Sequence, residues 1–275
     1  MVPVLASSLP LLLGGGALIG FLLAVLGAGG SILLLPLLVS GAALPTREAV
    51  PLSLIVVTLL ALANVGPYLW RRQVAPRPAL ILGVPALVGS WIGGSLVKAS
   101  LVPEPVQLGV FAVAALVASW LLLQRSSVGQ ASAPVAGPLP LAGQGVLVGL
   151  LTGIAGVGGG FAIVPALVLL AGLPMALASG TSLLLIATNA LVALAALGHW
   201  PAASLPLLLP LLLGGAACAV AGQWMAPHLP ERKLRQGFSL LLIGSALLTG
   251  FEAWRRQAPP PTPPPPQVRA APAER

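Results

Sequence analysis

Apolar residues run along this chain in stretches of about 20 with few polar interruptions, the length of one bilayer crossing. Such stretches fall near 9–28, 48–68, 78–97, 105–124, 138–157, 174–198, 203–226 and 234–251. The last is the tightest fit, since only 16 residues separate Arg235 from Glu252, and its helix is read as beginning within the basic turn before it. Two further apolar pieces, 31–41 and 160–172, follow glycine clusters and are too short to cross alone. They predict half-helices or re-entrant segments.

The pattern also repeats. Gly27-Ala-Gly-Gly-Ser-Ile-Leu-Leu-Leu-Pro36 matches Gly156-Val-Gly-Gly-Gly-Phe-Ala-Ile-Val-Pro165 at an offset of 129, and the same register carries Pro45 onto Pro174 and Ser53 onto Ser182. With small gaps, Gly89-Ser-Trp91 faces Gly222-Gln-Trp224, and Pro103-Glu104 faces Pro230-Glu231. The predicted fold is therefore an all-α integral membrane protein. Its eight transmembrane helices form two homologous four-helix halves, 1–124 and 140–253, each with a glycine-rich helix break and a half-helix or re-entrant segment. A connecting loop, 125–139, joins them, and the proline-rich tail 254–275 is read as disordered. If every span crosses fully the halves run parallel; if one piece per half is re-entrant they can be inverted.

Composition supports lipid as the main solvent. Hydrophobic residues make up 57% and charged residues 7% of the chain, where a soluble domain carries about a quarter charged. No Asp, Glu, Lys or Arg occurs between Arg125 and Glu231. The N-terminus lacks a basic region and runs straight into a span of membrane length, so it is read as a retained helix. Cys218 is the single cysteine, which excludes an internal disulfide framework and a cysteine-clustered metal site. The net charge of +8 sits in short clusters beside apolar spans and not in a basic stripe, so nucleic acid is not an expected partner. Counting eight passes, Lys and Arg number 8 on the side of the two termini against 5 opposite, which favours cytoplasmic termini.

Each glycine cluster lowers helix propensity and is followed six residues later by a proline, so the helix is expected to break there. A break in lipid is tolerable only where the freed backbone groups face protein or a watery cavity. Freed amides at the start of the following half-helix form a natural anion site, because donors and dipole point the same way. The candidate binding residues are Gly29, Gly30, Ser31 and Ser53 in the first half and Gly158, Gly159, Gly160, Thr181, Ser182 and Asn189 in the second. Amides supply the first donors; Thr181, Ser182 and Asn189 add neutral side-chain donors, which bind an anion without a buried counter-charge that would slow release. The isolated Gly16xxxGly20, Gly89xxxGly93, Gly145xxxGly149 and Gly149xxxGly153 pairs are read as helix-packing seams. Arg47 is read as a topology or headgroup contact in preference to an anion-attracting group. Arg71, Arg72, Arg77, Arg232, Lys233 and Arg235 are read as interfacial anchors, and His199 receives no role.

Enzymatic readings find no support: paired carboxylates, HExxH, GxSxG and Walker motifs are all missing. No metal or other cofactor is expected. The partners expected are a small anion and the bilayer; a homo-oligomer is left open.

The two glycine motifs, the longer Gly153-Ile-Ala-Gly-Val-Gly-Gly-Gly-Phe-Ala-Ile-Val-Pro165 and Ala178-Ser-Gly-Thr-Ser-Leu183 resemble the TauE/SafE sulfite exporter family, over about residues 10–252. The resemblance implies a multi-pass permease of the bacterial inner membrane that exports sulfite, sulfoacetate or related organosulfonates with help from the proton gradient. The residues themselves leave two alternatives open, a permease for another small solute and a non-transporting membrane scaffold subunit. No carboxylate or histidine lies deep within a predicted span to carry protons.

Overall fold

Each apolar stretch folds as a helix, since a segment surrounded by lipid must close its backbone hydrogen bonds within itself. The computed structural model describes residues 2–124, 137–155, 160–202 and 205–257. The first half comprises α1 (Val2–Leu26), the short α2 (Gly29–Pro36), α3 (Thr46–Trp70), α4 (Pro76–Lys98) and α5 (Glu104–Gln124). The second comprises α6 (Pro138–Ala155), the short α7 (Gly160–Leu169), α8 (Met175–Leu197), α9 (Leu208–Met225) and α10 (Glu231–Gln257). Eight of these helices are long and apolar enough to cross a membrane, and they coincide with the predicted spans. The last does begin in the basic turn, and it continues to Gln257, past the boundary expected at 253. Most of the expected connecting loop (125–136), most of the expected tail (258–275) and the candidates Gly158 and Gly159 lie outside the described residues.

α1 ends where Gly27 adopts φ +75°, a left-handed conformation that disfavours any residue with a Cβ. Contrary to expectation, Pro36 does not break the helix that follows. α2 continues through it into a π-helical turn, Leu37–Gly41, closed by the Ala42 amide on the Leu37 carbonyl at 2.9 Å. A proline inside a helix leaves the carbonyl four residues earlier without its amide. Here that carbonyl is Ile32, and the buried Ser245 hydroxyl of α10 donates to it at 2.8 Å. The local defect is thus satisfied from another helix, as an apolar interior requires.

Which residues meet reveals the helix directions. In the glycine seams, backbones approach too closely for a side chain: Gly145, Gly149 and Gly153 of α6 lie against Leu82, Ala86 and Ser90 of α4, so α4 and α6 run parallel. Gly16 and Gly20 of α1 lie against Leu211 and Gly215 of α9, again parallel. These are the small-residue contacts that hold helices together in lipid, where apolar side chains gain little by meeting each other. α2 folds back along α1, with Leu37 over Gly15 and Leu11 over Gly41. Ser119 of α5 donates to the Ser239 carbonyl of α10 at 3.1 Å while Gly250 faces Ala112, so that pair is antiparallel.

At one end of the bundle α3 finishes and α8 begins, with Tyr68 and Arg71 beside Ala176 and Ser179. At the other end α3 begins and α8 finishes, with Thr46 and Arg47 beside Leu197 and His199. These are called below the Tyr68 end and the His199 end. Successive helices alternate between them, the two short helices included. That alternation alters the expected charge reckoning, which counted eight passes. The extra passes carry Arg71, Arg72 and Arg77 to the end opposite both termini, where Arg232, Lys233 and Arg235 also lie. Against these six, the His199 end holds four Lys and Arg among the described residues: Arg47, Lys98, Arg255 and Arg256.

Helix boundaries keep the sequence register. α1 and α6 end at Leu26 and Ala155, and α3 and α8 begin at Thr46 and Met175, each pair 129 positions apart. The matching helices point in opposite directions.

Candidate functional site

The break after α1 sits against the first turns of α8. The last carbonyls of any helix lack intrahelical partners and in lipid must find donors elsewhere. Three hydroxyls supply them here. Tyr68 donates to the Ala24 carbonyl at 2.7 Å, Ser179 to Leu26 at 3.0 Å, and Ser182 to Gly27 at 3.2 Å and to Ser179 at 2.8 Å. Gly27 presses on the Ser179 backbone, so the close approach and the left-handed turn both require glycine at this position.

α2 and α7 start next to one another. A Cβ on Gly160 would meet the Ser31 hydroxyl, the Ala28 methyl and Ile186. From that meeting point α2 runs toward the His199 end and α7 toward the Tyr68 end, so their N-termini converge in the interior. Each N-terminus carries roughly half a positive charge from aligned peptide dipoles. Ala28, the N-cap of α2, offers no side-chain cap, and neither short helix contains a charged residue. The Ser31 hydroxyl donates to Ala28 O at 2.8 Å.

Asn189 stands on the same face of α8. Ser182 touches the first break and Ile186 touches Gly160; four and then three residues on, Asn189 continues that face by helical periodicity. It is fully buried, and neither its Nδ2 nor its Oδ1 has a hydrogen-bond partner. Leaving one such group unsatisfied in an interior costs about 1–3 kcal/mol.

Of the sequence candidates, the structure sets Ser31 against Gly160 and Ser182 against Gly27; Gly29 and Gly30 open α2 there, with Gly30 against Ile19 of α1, and Asn189 lies one turn farther along the same face of α8. Thr181 faces elsewhere: its hydroxyl donates to Leu177 O at 2.6 Å and accepts the Ala75 amide at 2.9 Å, fastening the start of α4 to α8. Ser53, fully buried on α3, donates to Val50 O at 2.7 Å, as Ser182 does to Ser179.

Several residues were not singled out from sequence. Tyr68 caps α1, Ser245 repairs the helix at Pro36, and Gln223 donates to Asn64 Oδ1 at 2.8 Å. The Gly-Gln-Trp match to Gly-Ser-Trp was a signal for Gln223, since its counterpart Ser90 is buried and donates to Gly149 O at 3.3 Å. The largest omission is a cavity of about 570 Å³ at the His199 end, whose lining includes Arg47, Lys98, His199, Ser100 and Gln107. On its rim Glu48 meets His199 Nε2 at 3.0 Å. At the Tyr68 end, the space among Tyr68, Arg71, Gln73, Ala176 and Ser179 is only about 30 Å³.

Eight membrane-length helices around two converging half-helices, with an interior of neutral donors, define a multi-pass membrane transporter. The chain belongs to the sulfite exporter TauE/SafE family, whose sequence model matches residues 12–249. Two proteins named probable membrane transporter protein, from two strains of Xylella fastidiosa, are 34% and 33% identical to it over 195 residues, 67% of this chain and 72% of theirs. No solved structure matches.

Proposed function

We propose that this protein carries sulfite or short organosulfonates across the bacterial inner membrane, binding the oxyanion between the N-termini of α2 and α7. The observation that carries the reading is the convergence of those N-termini at Ile186 of α8, one turn before Asn189, a buried amide without a hydrogen-bond partner. Oriented amides and a positive dipole end favour an anion, and Asn189 Nδ2 supplies a further neutral donor. Ser182 acts differently from the simplest expectation: its single hydroxyl proton is engaged on carbonyls, so it shapes the break while its oxygen accepts.

The reversed direction of helices in matching register supports an origin of the two halves as an inverted repeat, the arrangement that lets a central site open alternately to either side. In the conformation described, access is from the His199 end. Among the described residues the Tyr68 end holds six Lys and Arg against four, which favours that end as cytoplasmic; on that orientation the present state opens outward and export ends in it. Proton coupling fits the family, and His199 Nε2 lies 3.0 Å from the Glu48 carboxylate beside the open path.

The test is flux of labelled sulfite, a short sulfonate and a control cation in proteoliposomes, with and without a pH gradient. Oxyanion flux that responds to the gradient is the expected result. A folded protein that moves no oxyanion overturns the reading.

A further inference from the structure

We propose that the cavity at the His199 end is a loading site for small oxyanions, distinct from the central site, in which Arg47 and Lys98 concentrate the anion at the mouth of the path. This rests on the permease reading above and adds a second binding site to it.

The cavity lies among the first turn of α3, the end of α4, the start of α5 and the end of α8. Three basic side chains, Arg47, Lys98 and His199, line it, and none of the described lining residues is acidic. Among the described side chains, the carboxylate next to the lining residue Arg47 is Glu48, and it is engaged by His199. Neither Arg47 nor Lys98 takes part in an ion pair among the described residues. Helices both start and end here, so their dipoles largely offset, and the positive bias belongs to the side chains. Ser100 and Gln107 add polar groups around the same space.

The cavity reaches one turn along α3, to Val50. Arg47, Val50 and Ser53 follow one another at helical spacing on α3; the first two line the cavity, and the buried Ser53 hydroxyl donates to the Val50 carbonyl. The division of labour follows from electrostatics. Fixed cations at a solvated mouth raise the local anion concentration, whereas the same cations in the dry centre would hold a dianion too tightly to release.

The experiment reads local charge without requiring transport. In a Cys218→Ser background, Ser100→Cys is reacted with an anionic sulfonatoethyl thiosulfonate reagent and with its cationic trimethylammonium counterpart, each rate being divided by that of a free thiol. The expected preference for the anionic reagent is about tenfold, within the range of electrostatic focusing. The double substitution Arg47→Gln with Lys98→Gln is expected to erase it, and ethanesulfonate is expected to slow modification in the parent protein only. A preference equal to that of the free thiol, or one that survives the double substitution, overturns the proposal. So does protection by anionic phospholipid without protection by ethanesulfonate, which makes the site a headgroup contact. Flux measured on the same preparation separates the two readings. Charge preference and protection without oxyanion flux uphold the binding site and refute the permease, whereas flux without preference does the reverse.

Discussion

Matching stretches of sequence stand at the two ends of the bundle, yet the space beside Arg47 and Val50 is about 570 Å³ and that beside Ala176 and Ser179 about 30 Å³. Arg47 and Val50 line the open space; the residues 129 positions on, Ala176 and Ser179, line the closed one. Ser179 has a hydroxyl that reaches the Leu26 carbonyl, and Val50 has none to offer. Tyr68 adds a second tie to α1 at the closed end through Ala24. The difference teaches that closure here consists of hydroxyls satisfying the last carbonyls of a broken helix. Each such bond contributes about 1 kcal/mol, few enough for a conformational change to exchange them.

Predictions that strain this comparison run from large effects to small. The largest is all-or-none: in intact cells an impermeant thiol reagent should modify Ser100→Cys at the His199 end and spare Arg72→Cys at the Tyr68 end, and the opposite pattern would reverse the assigned orientation. Next, Gly27→Val should lower stability by about 3 kcal/mol or more, because it meets both the left-handed backbone and Ser179; the yield of monodisperse protein on size exclusion checks it. Tyr68→Phe should cost about 1–3 kcal/mol by leaving the Ala24 carbonyl unpaired, and should speed labelling of Ala176→Cys as the closed end loosens. Thermal unfolding and labelling rates together decide whether Tyr68 acts as a tie between helices. The smallest effect concerns α2, which runs between the two ends. Ser245→Ala should destabilise by about 1 kcal/mol, and Pro36→Ala should remove most of that penalty by restoring an amide to Ile32.

The helices were legible in the sequence because an apolar run of about 20 residues has one stable outcome in lipid. The first break was legible too, at the glycine cluster where Gly27 ends α1; Pro36 stays inside a helix, and the second cluster, 156–159, lies outside the described residues. The number of passes was not legible, because whether a short apolar piece turns back or runs through depends on what it packs against. α2 follows α1 back toward the His199 end, and that alone moved Arg71, Arg72 and Arg77 across the molecule. Hydroxyl partners were equally hidden: Ser182 and Thr181 are adjacent in sequence but face α1 and α4 respectively. Arg47, Lys98 and His199 come from three different helix ends, and only the fold gathers them around one cavity.

The measurement that bears most directly on the central site is sulfite flux through Asn189→Leu, taken beside its unfolding temperature. Leucine shares the branching and the side-chain heavy-atom count of asparagine and carries no polar atom, so it removes the cost of a buried amide that bonds to nothing. The account predicts a variant at least as stable as the parent whose flux falls about tenfold or more, the loss of one hydrogen bond to a charged ligand. A stable variant that still moves sulfite at the parental rate would contradict it.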